Sequence, residues 1–193
     1  MSSASYERCS VTDTNPPDPQ APDIATELSS MPIRAVRRVV ADDLARIKQI
    51  AVAAKMFTID DVEFFDEMVQ GYCDGSLKGH QWLAAESPAG EVVGAVQFAP
   101  EPFADRMWNL YFIAVDPDHQ GQGIGRSLMA RVEADLRRRS DSEARTLIVE
   151  TSSTDQYTHT RTFYSGLGYD EEARIRDFYG PGDNKVVFWK SIS

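Results

Sequence analysis

Cysteine is scarce in this chain. The two present, Cys9 and Cys73, stand in no C-x-x-C or Cys/His spacing, so zinc and dithiol redox chemistry are set aside. Both are expected to be free thiols, and no metal is expected. Long apolar runs are also missing: nothing approaches the roughly 18 residues that a spanning helix needs, so no membrane partner is expected. The opening stretch MSSASYERCSVTDTNPPDPQ lacks the basic and apolar regions of a secretory signal, which makes the cytoplasm the expected location. Basic residues fall short of acidic ones, 20 against 30, for a net charge of −10. That balance argues against a nucleic-acid partner, whose phosphates it would repel, and is compatible with a cationic substrate such as an amine. Internal repeats are absent too.

What is present is an ordinary soluble composition, 42% hydrophobic over 193 residues, enough for one domain. Residues 1–31 are acidic, rich in Pro and Ser and poor in large apolar side chains, so they are expected to form a disordered tail. The domain is expected to span 32–193. Its elements begin with the strand-like IRAVRRVV and continue with a helix that aligns Leu44, Ile47, Ala51 and Ala54. A second helix follows in TIDDVEFFDEMVQGYCDG, with Thr58 as candidate cap, and HQWLAAE and EVVGAVQF form strands around a short turn. MWNLYFIAV reads as a longer buried strand. Beyond Arg145 come the strand TLIVET, a polar loop, a short helix around RTFYSGLG, and two closing strands joined at GPGDN. The tally is α/β: about seven strands and four helices, implying a mixed, mostly antiparallel central sheet with helices on both faces.

Between the long strand and the third helix lies VDPDHQGQGIGRSLMARVEADLRRR. Glycines 121, 123 and 125 sit where a helix N-terminus offers unpaired N–H groups and the positive end of its dipole. Without Cβ atoms they let an anion approach the backbone and accept the positive φ of an N–H nest. A phosphate or pyrophosphate is the expected ligand. Ile124, Leu128, Val132 and Leu136 make the stripe that seats the helix. Spacing rejects two familiar phosphate binders: G-x-G-x-G is not the dinucleotide G-x-G-x-x-G, and QGQGIGRS misses the P-loop at Gln120 and Arg126.

The spacing that does fit is Q-x-x-G-x-G, met by Gln120, Gly123 and Gly125 between a strand and an amphipathic helix. It resembles the coenzyme A loop of the GNAT superfamily of acyl-CoA N-acyltransferases. TRTFYSGLGY resembles that family's later helix segment, and the element order from about Ile33 to the C-terminus matches its fold. The resemblance implies acetyl-CoA as co-substrate, its pyrophosphate held by Gln120, Gly121, Gln122, Gly123, Ile124, Gly125, Arg126 and Ser127. Its pantetheine arm would lie along the preceding strand at Ile113, Ala114 and Val115. That strand commonly carries a bulge and parts from its neighbour, leaving a gap for the thioester. Many relatives place an Asn seven residues before the catalytic tyrosine. Here the position is Tyr157, so that contact is left to the Tyr157 ring, to Thr158, or unmade.

An amine attacking a thioester needs a base, a stabilised oxyanion and a proton for the departing thiolate. A strand N–H near Ile113 to Val115 suits the oxyanion. Tyr164, at the family's tyrosine, is the candidate acid, beside its alternative as a packed core residue. Glu150, a carboxylate at the end of an apolar strand, matches a catalytic glutamate of some relatives. Bonding of loop amides or reception of a cationic substrate stands beside that base role. The resemblance thus implies an N-acetyltransferase acting on a small-molecule or peptide amine, as monomer or homodimer. A non-catalytic acyl-CoA sensor on the same fold is the alternative.

Overall fold

The computed structural model describes residues 33, 35–56, 63–139 and 143–192. The stretches rich in β-branched and aromatic residues become β1 Ala35–Arg38, β2 Gln81–Glu86, β3 Val92–Pro100, β4 Met107–Val115, β5 Thr146–Ser152, β6 Asp170–Gly180 and β7 Asp183–Ser191. They form one sheet in the order β1-β2-β3-β4-β5-β7-β6, antiparallel except where β4 meets β5. β1 is shorter than IRAVRRVV suggested. The Asp43 carboxylate accepts the Val40 amide at 2.9 Å, turning the chain into a 3-10 segment at Ala41–Asp43 before a strand can continue.

Among the described residues, four α-helices cover the sheet: α1 Leu44–Ala53, α2 Glu63–Cys73, α3 Ile124–Arg137 and α4 Thr158–Gly166. The expected opening of the second helix around Thr58, like the 1–31 segment, lies outside the described residues. Alternation along the strands divides the core in two. Leu83, Ala85, Leu110 and Val149 face α3 and α4, packing with Ile124, Leu128, Val132, Leu136 and Tyr164. Trp82, Ala84, Phe112 and Ala114 face α1 and α2, packing with Ile47, Ile50, Phe65 and Val69. Helices therefore lie on both faces, as the element order implied.

One glycine sets how closely α3 approaches. A Cβ on Gly94 in β3 would fall 3.0 Å from the Ala114 carbonyl oxygen and 3.3 Å from Leu128 Cδ1. With hydrogen there instead, the first turn of α3 settles onto the sheet beside Val115, the register partner of Gly94.

Two irregularities coincide in β4. Gln97 pairs with Phe112 but Phe98 pairs with Leu110, so Tyr111 is an extra, bulged residue. On the other edge, pairing with β5 runs from Met107–Thr146 to Leu110–Val149 and stops. Beyond that rung the two strands part.

Candidate active site

The parting is a wedge whose walls are the second half of β4 and the end of β5. Past Leu110, amides on the β5 side of β4 have no strand partner among the described residues. Ile113, Ala114 and Val115 line that wall, still paired to β3 along the opposite edge.

At the far end of the wall the chain turns through Asp116 into the glycine loop. The Asp116 side chain, mostly buried, accepts the Asp118 amide at 3.0 Å and pairs with Arg46 of α1, which also donates to the Val92 carbonyl at 3.1 Å. Burial works to raise the Asp116 carboxyl, but the Asp118 amide and the Arg46 guanidinium outweigh it and hold the group below its ordinary range. Gln120 braces the same corner, its Nε2 donating to the Val115 carbonyl at 3.1 Å. His119 lies against it, with Nδ1 3.9 Å from Asp116.

Gly121 and Gly123 have φ of 75° and 81°, and a Cβ on either would meet no atom within 4 Å. Both are in the left-handed region that suits glycine, with open space above them. Gly125 differs from the expectation for all three glycines. Its φ is not positive, and a Cβ there would lie 3.4 Å from the Phe163 ring. It is small so that α4 can pack against α3.

The first backbone bond of the helix is Ser127 to the Gly123 carbonyl, 3.0 Å. From Gly121 to Arg126, including Gln122 and Ile124, no amide has an acceptor among the described residues. The first turn of α3 carries no acid, and the Arg126 guanidinium is exposed and makes no ion pair among those residues. Free N–H groups, a helix dipole and an uncommitted cation all favour an anion with several oxygens. A pyrophosphate fits this set.

Tyr164 lies on the α3/α4 side. It is 2% exposed, its ring 5.2 Å from Phe163, 5.9 Å from Tyr169 and 5.6 Å from Phe188. Its hydroxyl has no protein partner among the described residues. Burial pushes the phenol well above its ordinary pKa, so it is protonated at neutral pH. Tyr169 behind it donates to Glu133 Oε1 at 3.0 Å, and Glu133 also binds Lys190 (2.9 Å) and Arg137 (2.9 Å). Lys190 in turn donates to the Leu167 carbonyl at 2.8 Å, tying down the end of α4.

Glu150 is the first β5 residue past the last rung, and Tyr111 is the first on β4. Both side chains lie on the α1/α2 side of the sheet, opposite Tyr164. Burial, then Glu101 and Glu150, raise the Tyr111 phenol to about 12; its hydroxyl donates to Glu101 at 3.1 Å. Glu150 is no lone carboxylate: Lys185 of β7 donates to its Oε2 at 2.7 Å. Lys185 also sits 3.6 Å over the Phe178 ring, which packs edge-on against Tyr179. Tyr157 precedes α4, and burial together with Glu150, Asp183 and Tyr157 raises the Tyr179 phenol. The wedge therefore gathers Tyr111, Glu150 and Lys185, with Phe178 and Tyr179 beside Lys185 and Tyr157 at the start of α4. Arg46, Asp116, Tyr111, Glu133 and Lys185 were not singled out from sequence. No group of three or more His, Cys, Asp or Glu among the described residues is placed to hold a metal ion. Nor is any helix there long and apolar enough to cross a membrane.

A family model for the acetyltransferase (GNAT) domain matches residues 78–171. No curated protein matches the sequence. Among solved structures, one described as a GNAT-family acetyltransferase, from Desulfovibrio desulfuricans, is 30% identical, with 82% of this chain and 99% of that one aligned at a TM-score of 0.75. The ribosomal-protein-S18-alanine N-acetyltransferase of Escherichia coli aligns over 82% and 94% at 20% identity and a TM-score of 0.65. A protein described as an acetyltransferase from Salmonella typhimurium, solved with its cofactor acetyl-CoA, aligns over 82% and 94% at 21% identity and a TM-score of 0.67.

Proposed function

The chain belongs to the GNAT family of acetyltransferases, and on that premise we propose that it transfers an acetyl group from acetyl-CoA to a primary amine, of a small molecule or a peptide N-terminus, by direct attack on the thioester. One observation carries the reading. The β4–β5 wedge opens at the Tyr111 bulge with a free-amide loop at its end, an unpartnered buried phenol on one face and a carboxylate on the other.

Acetyl-CoA supplies the activated acyl group. The amides of 121–126 and Arg126 bind its pyrophosphate, with Ser127 and Gln122 beside them, and the unpaired edge of Ile113 to Val115 receives the pantetheine amides. An unpaired β4 amide in that edge, fixed and desolvated, stabilises negative charge on the acyl oxygen. Glu150 takes the proton of the incoming amine. Tyr164, kept protonated by burial, gives one to the departing thiolate. Acids and rings around the mouth, Glu101, Tyr111, Phe178 and Tyr179, suit a cationic or amphipathic amine.

The test is incubation with acetyl-CoA and a panel of amino acids, polyamines, aminoglycosides and short peptides, reading free thiol, alongside calorimetric titration of acetyl-CoA. Acceptor-dependent thiol release supports the transferase. Tight binding without release from any acceptor would make the protein an acyl-CoA sensor instead.

A further inference from the structure

The chain has five lysines, Lys48, Lys55, Lys78, Lys185 and Lys190. Lys55 and Lys78 are exposed, and Lys48 keeps 31% of its side chain in solvent. Lys190 is committed to Glu133 on the far side of the sheet. Lys185 is the most shielded of those in ion pairs, with 12% of its side chain exposed, yet it stands at the wedge. In the β5–β7 register it pairs with Ser152, which places its side chain on the same face as Glu150. Its Nζ is held between the Glu150 carboxylate, 2.7 Å away, and the Phe178 ring, 3.6 Å away. An amine is thus built into the place where an acceptor amine has to come.

We propose that Lys185 is a self-acetylation site: when acetyl-CoA is bound and no acceptor is present, the protein acetylates its own Lys185 Nζ. This rests on the transferase reading above. Lys185 passes a proton to Glu150, and the freed Nζ lone pair forms the bond to the acetyl carbonyl carbon. The C–S bond breaks, its electron pair leaves on sulfur, and Tyr164 protonates the thiolate. Of the two protons the nitrogen gives up, one reaches solvent through Glu150 and the other balances the one Tyr164 supplies. The products are Nζ-acetyl-Lys185 and CoA thiol.

The signature is an inverted order of reactivity. Uncatalysed acylation by a thioester favours exposed amines, and the contacts that shield Lys185 should make it slow. An amine fixed beside a bound thioester has the opposite advantage, since positioning raises effective concentration by orders of magnitude.

The full chain is incubated with acetyl-CoA alone, and acetylation of each lysine is followed by peptide mass spectrometry. Lys185 should be modified at least about tenfold faster than Lys55 or Lys78, and at least about tenfold more slowly in Tyr164→Phe and Glu150→Gln, while the exposed lysines keep one slow rate throughout. Unfolding the chain in urea should abolish the preference. Lys185 reacting no faster than the exposed lysines, or at an unchanged rate in Tyr164→Phe, would overturn the proposal. The amine panel separates the two readings. Thiol release to an external amine with Lys185 unmodified sinks self-acetylation and leaves the transferase standing. Acetyl-CoA binding with neither reaction sinks both.

Discussion

A phenol that is to deliver a proton must hold it until the thiolate forms, and Tyr164 is placed to do so: fully packed, its hydroxyl without a partner among the described residues, its pKa raised by burial. Tyr164→Phe is expected to lower kcat by about 10²- to 10⁴-fold with little change in acetyl-CoA affinity, measured by steady-state thiol release and calorimetry on the same variant. Because burial raises this acid's pKa, the wild-type rate should not fall on the alkaline side before about pH 10, the value of a free phenol. An alkaline limb near pH 8 would assign the proton to another group. In the loop the deciding residue is Gly123. Gly123→Asp imposes a side chain on a φ of 81° and puts negative charge into the open space above the free amides. Acetyl-CoA affinity should drop by at least about 100-fold in calorimetry while the circular dichroism stays that of a folded chain.

Elements meet here at points set by single side chains. α3 rests on β3 where Gly94 leaves no room for a Cβ, and Gly94→Val would lift its first turn. The expected cost is about 1–3 kcal/mol in urea unfolding, with weaker acetyl-CoA binding because the loop moves with the helix. The buried Glu133 ties α3 to β7 and to Tyr169. Burial pushes its carboxyl up, but Lys190 and Arg137 outweigh it and hold the pKa below the ordinary value. Stability from this group is therefore fully present above about pH 4.3, the unfolded value, and is lost as pH falls through the lower folded one. Glu133→Gln should cost roughly 2–3 kcal/mol at pH 7, and that difference should shrink in urea titrations taken below about pH 4. Periodicity made much of this legible in the sequence. β4 runs from Met107 to Val115 as MWNLYFIAV suggested, and Ile124, Leu128, Val132 and Leu136 are all buried. The Gln120–Gly125 spacing marked the loop. Ties between charges distant in sequence were not legible. Arg46 and Asp116 lie 70 residues apart, Lys190 and Glu133 57. An acid on a helix reads as a solvated face until the fold shows what covers it, and a strand pattern does not say which lysine of a later strand meets Glu150.

At the scale of the whole chain, the described core elements all lie beyond residue 34. We propose that the first 30 residues form a dispensable tail. A variant without them should keep its melting temperature within a few degrees and its acetyl-CoA affinity within about twofold. A large drop in either would mean that the tail packs onto the domain.

The parting of β4 from β5 also has a mechanical side. Four register pairs, Met107–Thr146 to Leu110–Val149, are the whole ladder between β1–β4 and β5–β7. The sheet is in effect two plates with a short seam. The anion loop follows from one plate, and Glu150 and Lys185 ride on the other. The angle at the seam sets the distance between donor and acceptor. A molecule lying in the wedge and gripping both sides would act as a splint, extending the short seam and holding the two halves of the chemistry at one angle.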